Sequence, residues 1–150
     1  MSKLKISLIL MILGVMVFSC KKDENLLPLP IAPAIKILEI SNDTIVEFKE
    51  QLKLKLEYED GDGDLGNKDT DINSLFIKDS RLEFADEYYI APLAPEGAQI
   101  SIKGALNITL SSAFVLGNGS SEKTYFEIWM VDRIGHKSNV VRTKDIIILK

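Results

Sequence analysis

Cysteine and histidine are almost absent from this chain, with one of each in 150 residues. With Cys20 alone, an intrachain disulfide is excluded. With His136 as the only imidazole, a zinc site of the usual Cys/His kind is excluded too. Nucleophile–base catalysis has equally little to draw on, and His136 sits in a turn, where a solvated loop role is expected. Positive charge is also short, with 18 Lys and Arg against 22 Asp and Glu. An acidic chain repels phosphate backbones, so no nucleic-acid partner is expected. There is no phosphate-cradling glycine motif followed by lysine. No segment sustains a 3.6-residue apolar period between caps, so helices are not expected.

The longest apolar run, Ile6 to Val17, is about twelve residues, short of the about 20 that a spanning helix needs. Lys3 and Lys5 precede it, and the small residue Ser19 follows, just before Cys20. This order of basic, apolar and small residues predicts a secretory signal over 1–19. Removing Lys3 and Lys5 takes the basic count from 18 to 16 against 22 acidic residues, and the net charge from −4 to −6. The remaining stretch of about 131 residues has room for one domain with its own core.

Val17-Phe18-Ser19-Cys20 resembles a bacterial lipobox, although Phe18 is bulkier than the residue usual there. The resemblance implies cleavage before Cys20 and acyl chains, palmitate among them, on that residue. Two or more chains anchor a protein stably where one does not. The alternative is a plain secretory signal followed by a free thiol. Lys21-Lys22-Asp23-Glu24-Asn25 is similar to the charged cluster behind the lipidated cysteine of surface-displayed Bacteroidetes lipoproteins. That similarity implies an outer-membrane, lipid-anchored location, with the cell surface and the periplasmic face both left open. Pro28, Pro30 and Pro33 then disfavour helix, and residues 20–33 are expected to form a tether, semi-rigid in its proline part.

From residue 34 to 150 the pattern is β. Leu52, Leu54, Leu56 and Tyr58 alternate with Lys53, Lys55, Glu57 and Glu59, a period of two that puts one face in a core and the other in water. Further strands are expected from Ile35, over Ser74–Lys78, Tyr88–Ile90, Ile100–Leu110, Thr124–Val131 and Val140–Leu149, with Gly104 as a bulge or bend. Trp129 is expected in the core. Strands separated by turn signals predict an all-β, antiparallel two-sheet sandwich. The turn Asp132-Arg133-Ile134-Gly135-His136-Lys137-Ser138-Asn139 resembles the hairpin between the last two strands of bacterial immunoglobulin-like domains, with His136 in place of the usual Asn.

Asp60-Gly61-Asp62-Gly63-Asp64-Leu65-Gly66 is the most distinctive stretch. Carboxylates at every second position converge if the backbone curls, and glycine permits the curl. Asp60, Asp62 and Asp64 match ligand positions 1, 3 and 5 of a calcium loop, and Asp71 falls at position 12. Leu65 stands where such a loop has glycine, and no helix flanks it, so this is not an EF-hand. The alternative is an exposed acidic turn. The stretch resembles the D-x-D-G-D-x-G loops of calcium-binding β domains and of small Bacteroidetes lipoproteins of unknown function, in which a D-R-x-G hairpin recurs near the end of the domain. Asp132 completes the site if its hairpin lies at the same end of the sandwich.

The expected function is that of a non-catalytic, membrane-anchored module with a calcium-stabilised β-sandwich and a protein or glycan partner. The alternatives are a structural subunit of an envelope assembly or a small hydrolase. Of the adjacent pair Tyr88 and Tyr89, one is expected to face outward, where a sugar ring could stack on it.

Overall fold

The Leu/Lys alternation at residues 52–59 becomes the central strand of the first sheet. In the computed structural model, which describes residues 30–111 and 113–150, β3 (Leu52–Asp60) lies between β1 (Ala34–Ile40) and β6 (Ile102–Leu110), antiparallel to both. Leu52, Leu54 and Leu56 point into the core and Lys53 is exposed, as a period of two requires. The expected signal peptide, Cys20 and most of the tether lie outside the described residues.

The second sheet faces the first. β5 (Asp86–Tyr88), β4 (Leu75–Asp79), β8 (Phe126–Met130) and β9 (Val141–Arg142) pair in that order, all antiparallel. β7 (Ser121–Thr124) runs into β8 with only Tyr125 between them, and β9 runs into β10 (Ile146–Leu149) across three residues. The β7–β10 ladder therefore continues the β8–β9 ladder. Thr143 keeps the pairing across the gap, exchanging backbone and hydroxyl hydrogen bonds with Phe126. β2 (Thr44–Val46) closes the edge by pairing with β10, and this one pairing is parallel. The result is the expected all-β sandwich.

Between the sheets, Ile35, Leu54, Leu56 and Ile108 meet Leu75, Ile77, Phe126, Ile128, Met130, Ile146 and Ile148 in one core. Each fully buried side chain of this size contributes about 2 kcal/mol. Three local expectations are corrected. Gly104 is no bulge, because the β3–β6 register runs unbroken through the Tyr58–Gly104 pair. It is small because the Tyr58 ring lies across it: a Cβ there would sit 2.4 Å from the phenolic oxygen. Trp129 lies on the outer face of β8, since Ile128 and Met130 take the core positions on either side. It stacks on Phe76 at 5.6 Å, with the Lys137 ammonium 4.3 Å from its ring centre. The strand expected over Tyr88–Ile90 lies two residues earlier, and the short strand β2 was not legible at all.

The register also fixes the ends of the sandwich. Ala34 pairs with Glu59, so the chain joins the domain at the end where Asp60 lies. Leu52 pairs with Leu110, which puts the 47–51 turn and the segment after Leu110 at the opposite end.

Candidate metal centre

Strand β3 ends by delivering Asp60 into the interior, where it is 0 % exposed. The chain then curls. Gly63 has φ 75° and Gly66 φ 79°, backbone that only glycine adopts cheaply. Neither has room for a side chain: a Cβ on Gly63 would lie 2.4 Å from the Ile100 carbonyl oxygen, and one on Gly66 would lie 2.3 Å from that of Ala91. Leu65 explains the departure from a calcium-loop consensus. It is fully buried and anchors the loop in the core, while Leu93 N–H donates to its carbonyl and Asn67 N–H donates to Ile90.

This curl brings Asp60, Asp62 and Asp64 together, each offering a carboxylate oxygen within 4.8 Å of the other two. One oxygen of Asp60 accepts the Leu65 N–H at 3.2 Å. The Oδ1 atoms of all three aspartates are buried and accept no hydrogen bond. A buried polar atom without a partner costs about 1–3 kcal/mol, and more when charged. Burial first, and then the neighbouring Asp62 and Asp132 charges, raise the Asp60 carboxyl above its ordinary value. Asp64 is pushed up to about 6 by burial, followed by the charges of Asp132, Asp62 and Asp60. Three converging, unpartnered carboxylate oxygens form the donor set that a hard cation takes, with carbonyls or water completing the shell. Beside Asp62 and Asp64 a shallow pocket of about 350 Å³, bounded by Gln99 and Arg133, leaves space for such water.

The D-R-x-G hairpin does lie at this end. Arg133 donates from Nε to the Asp64 carbonyl at 2.8 Å and from a terminal nitrogen to the Gly63 carbonyl at 3.0 Å. It thereby clamps the loop backbone, a role that sequence reading missed. Asp132 lies near enough for its charge to raise Asp60 and Asp64, but it is not one of the converging trio. Its Oδ1 accepts the N–H groups of Ile134 and His136, and its Oδ2 lies 3.0 Å from the His136 ring nitrogen. His136 is thus half of a hairpin lock. Asp71 is not brought to the site either. It is exposed, and its N–H donates to Asp69 Oδ1 in a local turn. The EF-hand spacing fails after position 5 because Leu65 turns the chain inward to the core. As expected, the two tyrosines diverge: Tyr88 packs against the core and Tyr89 is 36 % exposed.

Neither models of known protein families nor curated proteins match this chain. No described helix is long and apolar enough to cross a membrane.

Proposed function

We propose that this chain is a non-catalytic envelope lipoprotein, held in the outer membrane by acyl chains on Cys20, whose β-sandwich is a binding or accessory module stabilised by calcium at Asp60, Asp62 and Asp64. The observation that carries the cation is the trio of buried, partnerless carboxylate oxygens at one point. Fully ionised, they repel one another. A divalent ion turns that repulsion into attraction and pins the 60–66 loop. The ion orders structure and performs no chemistry. Arg133 makes no ion pair with the trio, because its hydrogen bonds go to backbone carbonyls.

The lipid anchor rests on the sequence around Cys20 and is tested separately. Mass spectrometry of the membrane-extracted protein should find the amino terminus at Cys20 with acyl mass added, and Cys20→Ala should leave the leader uncleaved. For the cation, isothermal titration of the soluble domain with calcium should give a binding isotherm near one equivalent, lost in Asp62→Asn. A flat titration at millimolar calcium removes the cation from the proposal.

A further inference from the structure

At the end of the sandwich opposite the aspartates, the chain spends energy to display an aromatic ring. Phe48 sits in the tight turn after β2, where the N–H groups of Lys49 and Glu50 donate to the Val46 carbonyl. Its φ is 58°, and it is the only non-glycine residue with positive φ among those described. Glycine or asparagine takes that conformation readily; a bulky residue does so at a cost of about 1–3 kcal/mol. Burial does not offset the strain, because Phe48 is 82 % exposed.

The ring is nevertheless held in place. It stacks on Phe114, with centroids 6.1 Å apart and planes 13° from parallel. Both backbones are fixed: Glu47 N–H donates to the Leu149 carbonyl, Glu47 Oε2 accepts the Val115 N–H, and Arg81 donates to the Phe114 carbonyl. Beside the exposed ring lies an open cavity of about 600 Å³. Its other walls are hydrogen-bonding side chains, among them Asn42, Lys49, Gln51, Lys53 and Ser111. Gln51 and Ser111 are already bonded to each other at 3.3 Å, and Glu50 is tied to the Val46 N–H. Lys49 and Lys53 line it beside a single carboxylate, Glu50, so its charged rim is net positive on an acidic domain.

We propose that this cavity binds an oligosaccharide, with the apolar face of one sugar ring on Phe48 and its hydroxyls on the surrounding amides and hydroxyls. The lining chooses between partners. A protein hot spot or a lipid tail wants contiguous apolar surface, whereas a sugar presents one apolar face and a rim of hydroxyls, matching one rigid aromatic ring among polar groups. The two lysines suit a sugar carboxylate, so uronic-acid chains should bind better than neutral ones. This names the ligand of the proposed binding module; it rests on that reading and not on the cation.

The soluble domain, fluorescently labelled, would be applied to a printed array of neutral and uronic-acid oligosaccharides, in calcium and in chelator. Retention on a saccharide subset is expected in both, weakened at least tenfold in Phe48→Ala and unchanged in Asp62→Asn. Phe48→Gly should lose binding in the same way while unfolding at a higher temperature than the parent, since glycine removes the strain. That rise separates loss of the ring from loss of the fold. No retention on any saccharide overturns the proposal. So does retention that survives both Phe48 substitutions, or binding of the domain to phosphatidylglycerol vesicles or to itself through Phe48. A flat calcium titration together with a positive array would sink the cation and leave this site standing.

Discussion

Replacing Asp60 with asparagine should stabilise the domain in chelator and destabilise it, relative to the parent, in calcium. The trio's oxygens lie within 4.8 Å of one another. At an effective dielectric of 20, each ionised pair at that separation costs about 3.5 kcal/mol. Three pairs would cost about 10 kcal/mol, as much as the whole stability of a typical domain. Without a cation the trio takes up a proton as pH falls towards 6, and Asp64, pushed up to about 6, is where it goes first. Asp60→Asn removes two of the three repulsions yet keeps an oxygen to accept the Leu65 N–H. Because small movements of the loop and surrounding water relieve part of that repulsion, the gain in chelator should be about 1–3 kcal/mol, or roughly 4–10 °C in midpoint. In calcium the order reverses. A cation at a hundred times its dissociation constant adds about 2.7 kcal/mol to the parent and far less to a variant lacking a ligand. The assay is thermal unfolding of both proteins in EGTA and in millimolar calcium. A variant less stable than the parent in both media refutes the repulsive trio. The pH sign follows from the same group. In chelator the folded state binds a proton at Asp64 that the unfolded state has released, between about pH 4 and 6, so parental stability should fall as pH rises through that window.

Gly66→Ala should cost at least about 2 kcal/mol in denaturant unfolding, since the new methyl would meet the Ala91 carbonyl at 2.3 Å in a left-handed backbone. Arg133→Ala removes the clamp on the Gly63 and Asp64 carbonyls and should lower both stability, by about 2 kcal/mol, and calcium affinity in titration calorimetry, while Asp132→Asn should act mainly on the hairpin. Asp79 answers to acid in the opposite sense from Asp64. Burial opposes its charge, but hydrogen bonds from Arg81 and Thr124 outweigh that and hold its carboxyl below the usual range. Its stabilisation is present above about pH 4 and is lost as pH falls through the lowered value. Asp79→Asn should therefore cost about 3 kcal/mol at neutral pH, with the gap closing in acid-unfolding curves as pH falls through the lowered value.

Much of this molecule is legible along the chain because strands announce themselves locally. The Leu/Lys alternation of β3 fixes which side is core without reference to any partner, and the all-β class follows from the absence of a helical period. The Asp-Gly-Asp-Gly-Asp spacing likewise puts three carboxylates on one curl, because glycine decides the curl where it stands. What the chain alone could not decide depends on residues far apart in it. Asp71 counts to the right position in a loop that leaves the pattern at Leu65, whose side chain answers to the core. Gly104 reads as a bulge until the Tyr58 ring is seen lying across it, and Trp129 reads as core until Ile128 and Met130 are seen to hold those places. The union of the aspartate loop with Arg133, some seventy residues on, and the strained display of Phe48 exist only once two sheets have packed, since packing sets which ends meet and which backbones must bend.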